Sequence, residues 1–250
     1  AARARAPHLA ATPAQLRAGR ALVARALVAH GGIERFRRLE DSVMDGAMTI
    51  HSPDGHELSG KFEQVRKEPW KMVMTTGFMG FETQQILDGR RGWSRYEGDS
   101  VSVADADSTT IQAMRSGFGS DLWHLLLALE QPGARVAARS GAATIDGRPA
   151  DALDALTADG EPRRLYFDRV THRLVAMDQN EDRPGSGRFL ARRVYRDYHV
   201  VDGMQWPFYE QRLLGGQRVM ELTLSRLAFN TGVEDAAFRK PALPEPGFRH

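Results

Sequence analysis

Residues 187–230 read GRFLARRVYRDYHVVDGMQWPFYEQRLLGGQRVMELTLSRLAFN. Two turn signals, Asp202-Gly203 and Gly215-Gly216, cut this stretch into three runs, Gly187–Val200, Met204–Leu214 and Gln217–Asn230. Their alternating, aromatic and β-branched content reads as three successive antiparallel strands. At about 3.3 Å per residue each exceeds ~35 Å, well beyond the common strand length. Long twisted strands in a large sheet curl, close on themselves or split into two layers, so this stretch decides the architecture.

Working outward, the same period of two recurs on both sides. Ahead of residue 187 lie Ala134–Ile145, Ala150–Ala158, Arg163–Asp168 and Arg173–Gln179, with turns at Asp146-Gly147 and Asp159-Gly160. Further upstream, Ser42–Ser52, Leu58–Lys67, Trp70–Thr76, Phe81–Leu87 and Arg91–Tyr96 form a meander. Its turns are Ser52-Pro53-Asp54-Gly55 and Asp88-Gly89, both favourable turn chemistry. Helices punctuate this pattern. Thr12-Pro13 opens one, with Thr12 as N-cap, a stripe of Leu16, Leu22, Val23, Leu27 and Val28, and His30-Gly31-Gly32 at its end. A short helix Ile33–Leu39 follows. Asp105–Gln131 reads as helix in two pieces divided at Gly117-Phe118-Gly119, the second capped by Ser120 or Asp121 and apolar around most of its circumference.

A two-layer sandwich leaves little room for so apolar a helix, whereas a curled sheet offers it a concave face. The expected fold is therefore α+β and mainly antiparallel β: a curled, half-open barrel of about eleven or twelve strands with helices covering the concave face. No linker or internal repeat interrupts the chain, which predicts one domain over 13–241, a flexible N-terminal segment 1–12 and a C-terminal tail 242–250. Asp235–Phe238 reads as a closing turn.

The stretch Tyr195-Arg196-Asp197-Tyr198-His199-Val200-Val201-Asp202-Gly203-Met204-Gln205-Trp206-Pro207 resembles the DYR-x-VDG-x-x-x-P hairpin of the outer-membrane lipoprotein-sorting (LolA/LolB-like) superfamily. The ending Phe229-Asn230 … Asp235-Ala236-Ala237-Phe238 and the opening helix closed by His30-Gly31-Gly32 are similar to it as well, and the strand order matches over roughly 13 to 241. The resemblance implies a half-barrel enclosing a hydrophobic cavity for acyl chains, in the periplasm or at the outer membrane. The same fold hosts periplasmic stress sensors and at least one small-molecule enzyme, so fold alone does not fix function.

Composition narrows the alternatives. The 250 residues carry a net charge of only +2 and 42% hydrophobic residues, and mean hydropathy is −0.43. The longest apolar run, Leu125-Leu126-Leu127-Ala128-Leu129, is too short to span a bilayer. Arginines are scattered along strands, without the basic patch and interleaved aromatics that nucleic acid requires. The chain has no cysteine, which excludes disulfides and thiolate zinc sites. Ala1–Ala6 hold two arginines and no apolar core, unlike an intact signal peptide.

The candidate binding residues are apolar. Met44, Met48, Met72, Met74 and Met79 concentrate in the first strands, and flexible thioethers suit surfaces that adapt to variable apolar ligands as well as ordinary cores. Gly77-Phe78-Met79-Gly80-Phe81 places large apolar groups in a turn, a position usually polar. It could be a pocket mouth, a membrane-touching tip or packing beneath helices. Trp93 joins this set from the next hairpin. Phe118, Leu122, Trp123 and Leu126 could form a lid hinged at Gly117 and Gly119, or a plain core helix. Arg95 or Arg193 could meet a headgroup.

Other constellations are weak. His51 and His56 flank a hairpin tip near Asp54 and Glu57 without a metal-ligand pattern. No Gly-x-Ser-x-Gly is present, and Gly117-Phe118-Gly119-Ser120 and Gly185-Ser186-Gly187 lack the lysine and context of a phosphate loop. Asp105 and Asp107 read as caps of a helix. Asp197, Tyr198 and His199 have catalytic residue types, but alternation sets Tyr198 opposite the other two.

The expectation is a non-enzymatic carrier or receptor, without metal or cofactor, binding lipid or lipoprotein acyl chains in the bacterial cell envelope, periplasmic or outer-membrane-associated. Its partners would be a lipid or acylated lipoprotein, an envelope protein, and the membrane surface peripherally. The alternatives are a protein-interaction or stress-sensing module on the same fold, and a small-molecule enzyme.

Overall fold

Fourteen strands and four helices follow the alternation of turns and periods along the chain in this computed structural model, which describes residues 9–119, 121–158, 160–183 and 187–243. The strands are β1 (Asp41–His51), β2 (Glu57–Lys67), β3 (Lys71–Phe78), β4 (Phe81–Asp88), β5 (Arg91–Glu97), β6 (Val101–Asp105), β7 (Arg135–Ala138), β8 (Ala143–Ile145), β9 (Arg148–Leu156), β10 (Pro162–Asp168), β11 (Leu174–Arg183), β12 (Gly187–Val201), β13 (Met204–Leu214) and β14 (Gln217–Phe229). The helices are α1 (Pro13–Ala29), α2 (Ile33–Arg37), α3 (Ser108–Phe118) and α4 (Leu122–Glu130), and a 3-10 turn, Asp235–Phe238, closes the order. Hydrogen-bonded neighbours run β6-β5-β4-β3-β2-β1-β14-β13-β12-β11-β10-β9-β7, with β8 paired to β9. The ladders β1–β2, β2–β3, β3–β4, β4–β5, β5–β6, β7–β9, β8–β9, β9–β10, β10–β11, β11–β12 and β12–β13 are antiparallel, and the sheet is open. The α+β, mainly antiparallel expectation stands.

The strand count rises from about twelve to fourteen for two local reasons. Val101–Asp105, five residues pairing with β5, is too short a run to stand out from helix-like neighbours. The run read as Ala134–Ile145 is broken between β7 and β8, where Gly141 takes φ +98°. The helix expected from Asp105 accordingly starts at Ser108, with Asp107 as its N-cap accepting from Thr110 N–H at 2.7 Å. Ser120, the Ser186 of Gly185-Ser186-Gly187, Ala1–Ala6 and the last residues lie outside the described set.

The chain forms two compact units. The first joins Ala1–Arg37 to Leu122–Glu221, and the second joins Arg38–Asp121 to Leu222–His250. In the first, Thr12 caps α1 in a reciprocal box with Gln15, 2.9 and 3.2 Å. The buried stripe of α1 is Gly19, Leu22, Val23, Ala26 and Leu27, and it packs on β7. Val28, expected in that stripe, is exposed, because at 100° per residue it falls past the stripe's edge. Leu153, Leu165 and Met177, laterally paired on β9, β10 and β11, are fully buried on one face of this sheet. Ile145, Ala152, Tyr166, Ala176 and Val194 form a smaller core on the other.

In the second unit α3 lies on β3 and β4. Asp41, at the start of β1, holds the segment after β14: its carboxylate accepts from Thr231 N–H at 2.6 Å and hydroxyl at 2.9 Å, Gly232 N–H at 2.9 Å and Val233 N–H at 3.1 Å. Burial pushes this carboxyl upward, and those hydrogen bonds outweigh burial and hold it below the usual range.

Candidate functional site

Register decides which side chains share a face. Met44 pairs with Gln64, Gln64 with Met74, and Met74 with Gln85, so the period of two puts Met44, Met48, Met72, Met74, Phe78 and Phe81 on one face of the second unit's sheet. Phe62, Gln64 and Arg66 of β2 share that face. Trp93 does not. It pairs with Ile86, which pairs with Val73, and these residues point to the opposite side. There the Trp93 indole is hydrogen-bonded to Asp105, whose carboxylate also accepts from Lys240 at 2.8 Å and is held below its usual pKa range chiefly by that lysine.

Neighbouring backbone crowds the methionine face where glycine allows it. A Cβ on Gly46 would stand 2.2 Å from the Thr223 carbonyl oxygen, and one on Gly60 would stand 2.0 Å from the Gly77 carbonyl oxygen. Both glycines share the face of Met44 and Met48, so neighbouring backbone rises toward that side. Glycine kinks of this kind are a means of curving a sheet. Sequence alternation alone missed them, since a glycine inside a polar-looking run gives no hydrophobic signal.

Helix α3 fills one end of this face. Met114 and Phe118 form a cluster with Met72 and Leu87, flanked by Trp70, Ala106 and Ile111. The end of α3 is tied to β2 through Arg66, a buried guanidinium that ion-pairs with Asp121 and donates to the Phe118 carbonyl at 3.3 Å and to Gln64 Oε1 at 2.7 Å. Its charge also lies 5.2 Å from the Phe118 ring centroid. Arg66 escaped sequence reasoning because an arginine on a strand looks solvated, and its partners lie 52 and 55 residues away.

Beyond α3 the face reaches solvent. Met44 is buried and Met48, Met74 and Phe78 are half-buried. At the β3–β4 turn Met79 is 79% exposed and Phe81 43%. Phe81 stacks on Tyr96 of β5, centroids 5.9 Å apart, and Tyr96 is itself 41% exposed. This aromatic pair adds Tyr96 to the residues found by sequence. Met79 and Phe81 therefore stand exposed at a strand end, with Phe78 half-buried beside them.

The remaining candidates belong to the first unit. Leu122, Trp123 and Leu126 are buried on α4, which packs with α1 and α2. Arg20 of α1 donates to the Leu129 carbonyl at 3.0 Å, and Arg37 of α2 ion-pairs with Glu130 at 2.7 Å. The Trp123 indole nitrogen is buried with no hydrogen-bond partner among the described residues. The apolar insert is thus divided between the two units at Asp121/Leu122, one helix in each. The two headgroup candidates are engaged: Arg95 lies 2.5 Å from Glu97 on the face opposite the methionines, and Arg193 is 3.7 Å from Glu210. His51 pairs with Glu57 at 3.1 Å and His56 with Asp54 at 3.8 Å.

An open antiparallel sheet interrupted by two helices, α3 and α4, between β6 and β7 defines the fold class. Neither the known family models nor the curated proteins match the sequence. Solved structures do. An outer membrane lipoprotein-sorting protein domain from Vibrio parahaemolyticus is similar at 15% identity and a TM-score of 0.53, over 90% of this chain and 97% of that one. A LolA superfamily protein from Nitrosomonas europaea gives 14% identity and 0.54, over 89% and 97%. A DUF1329 family protein from Desulfovibrio piger gives 14% and 0.59, over 92% and 99%. The chain has the LolA-like fold of these structures, as the hairpin and helix motifs of its sequence imply.

Proposed function

We propose that the protein is a non-enzymatic carrier or receptor for the acyl chains of lipids or lipoproteins in the bacterial cell envelope. The observation that carries this reading is the glycine-bent face of the second unit, on which Met44, Met48, Met74, Phe62, Phe78 and Phe81 follow one another. Unbranched thioethers adapt to a flexible chain at little cost in shape. Each methylene removed from water contributes about 0.8 kcal/mol, so a chain of roughly ten methylenes supplies about 8 kcal/mol before ordering costs. Gln64 and Arg66, the polar residues of β2 on this face, are hydrogen-bonded to each other at 2.7 Å, which leaves the apolar residues to select a ligand by length. The likeness in fold to a lipoprotein-sorting domain supports the same reading.

Titration with a fluorescent fatty acid such as parinaric acid tests it. Saturable binding near one per chain is expected, reduced at least tenfold by Met74→Asp, which places a charge on the half-buried part of the face. Far-UV circular dichroism confirms folding of each sample. A folded protein that shows no saturable uptake, or a Met74→Asp variant that binds as the wild type does, overturns the proposal.

A further inference from the structure

A second, chemically different pocket lies wholly within the first unit. It has a volume of about 430 Å³, within the usual range of small-molecule sites. Ile145, Pro149 and Val175 supply apolar wall, Tyr195 and Tyr198 aromatic wall, and Thr171 with three arginines and three aspartates completes it: Arg148, Arg173, Arg196, Asp146, Asp168 and Asp197. Three separate stretches of chain, 145–149, 168–175 and 195–198, build it, which is why no linear motif announces it.

The backbone departs from regular pairing where the pocket opens. On β11 the register slips between Tyr166 and Phe167 so that Val175 is an extra residue. On β12 Asp197 has φ +51°, and the ladder passes from Arg196↔Tyr209 to Tyr198↔Pro207 without it. Bulges and left-handed non-glycine residues re-aim side chains next to functional sites.

The charges are unequally committed. Asp146 receives both its oxygens' bonds from Arg196, at 2.6 and 3.0 Å. Asp168 Oδ1 accepts from Val170 N–H, Thr171 N–H and the Thr171 hydroxyl at 2.9, 2.7 and 3.0 Å. Asp197 lies 3.0 Å from His199 Nε2. Arg173, by contrast, donates from Nη1 to Gln205 Oε1 at 3.2 Å and otherwise rests on the Tyr198 ring, 4.9 Å from its centroid. A guanidinium has five donors, and among the described residues this one is left with most of its fork unallocated. Arg148 is exposed at the rim and acts on Asp168 through space.

We propose that this pocket binds a small organic monoanion, a carboxylate carried on a short or flat apolar body, through Arg173 and Arg148. The spare capacity is cationic and forked, which matches a carboxylate in bidentate geometry. The formal charge of the lining is balanced, so a dianion meets uncompensated repulsion from Asp168 and Asp197, and a cation meets the two arginines first. Tyr198, held by its hydroxyl to the Leu174 carbonyl and by its ring to His30 at 5.9 Å, keeps the platform under Arg173 fixed. This site is independent of the acyl-chain reading, since its lining belongs to the first unit and the methionine face to the second.

Calorimetric titration of the full chain with benzoate, cinnamate and hexanoate tests it, with cinnamyl alcohol as neutral counterpart and phenyl phosphate as dianion. At least one carboxylate is expected to bind saturably with submillimolar affinity, the alcohol and the phosphate at least tenfold more weakly. Amide shifts should move at Asp146, Thr171 and Val175. Arg173→Gln and Arg148→Gln should each weaken binding fivefold or more, and Arg148→Gln, a change at an exposed residue, decides the matter should Arg173→Gln fail to fold. Failure of all three carboxylates, equal binding of the alcohol, or indifference to Arg148→Gln overturns the proposal, and prior loading with a neutral long-chain alcohol, which carries an acyl-like tail without a carboxylate, should leave carboxylate binding unchanged.

Discussion

His30 shows how much one residue of a motif carries. Its ring is fully buried; Nδ1 lies 2.8 Å from the Ala26 carbonyl, Nε2 accepts from Leu174 N–H at 3.4 Å, and its own carbonyl accepts from Gln205 N–H at 3.1 Å. The end of α1 is thereby keyed to β11 by the neutral imidazole of His30 and to β13 by its backbone carbonyl. Burial pushes the ring down to about 4, opposed by the Ala26 carbonyl and reinforced by the positive charge of Arg173. The unfolded chain takes up this proton near pH 6.5, while the folded one refuses it until about 4. Stability from this group is complete above 6.5, falls as pH drops through that window, and levels off below it, a loss on the order of 3 kcal/mol. Urea midpoints measured across the window should show this slope in the wild type and lose it in His30→Gln, and equal slopes in both would contradict the buried neutral imidazole. The sequence identified His30 as the end of a helix. The key itself was illegible, because its partners lie 144 and 175 residues downstream.

At the scale of elements, helix α1 was legible down to its capping box, yet the residue that sets its distance from the sheet was not. A Cβ on Gly19 would stand 2.5 Å from the Val136 carbonyl oxygen, in backbone that cannot swing aside. Gly117 of α3 has nothing within 4 Å of the same position. Alanine is favoured over glycine in a helix by about 0.5–1 kcal/mol, whereas overpacking costs about 1–3 kcal/mol. The two substitutions should therefore have opposite signs: Gly117→Ala raises the melting temperature by a few degrees and Gly19→Ala lowers it. Thermal melts of both variants check this, and a Gly19→Ala protein as stable as the wild type would show that α1 stands off β7 further than described. Spacing reveals which face of a helix is apolar. It does not reveal where the opposing surface is backbone, and that alone separates a glycine kept for contact from one tolerated in solvent.

Across the whole molecule, the order of strands and the apolar character of the central insert follow from turn chemistry and period, and the fold agrees. The division of that insert between two compact units was hidden, because the two helices follow each other within a few residues and the glycines at 117 and 119 suggest a hinge wherever the boundary falls. Charge also acts at this scale. With a net charge of only +2, the protein as a whole offers little electrostatic attraction to an anionic bilayer, where each clustered basic residue is worth about 1 kcal/mol. Any contact with a membrane must then rest on apolar insertion. The exposed residues suited to it are Met79, Phe81 and Tyr96 at one strand end, and each large side chain moved from water into the acyl boundary contributes about 1.5–3 kcal/mol. Two or three such groups give weak, reversible association. Co-sedimentation with phosphatidylethanolamine/phosphatidylglycerol vesicles should accordingly be weak, nearly insensitive to salt between 50 and 500 mM, roughly, since screening acts only on charge. It should be abolished by the pair Met79→Asp and Phe81→Asp, which leaves the buried clusters of the second unit untouched. Binding that instead collapses with salt and survives both substitutions would move the contact from the apolar tip to a charged surface.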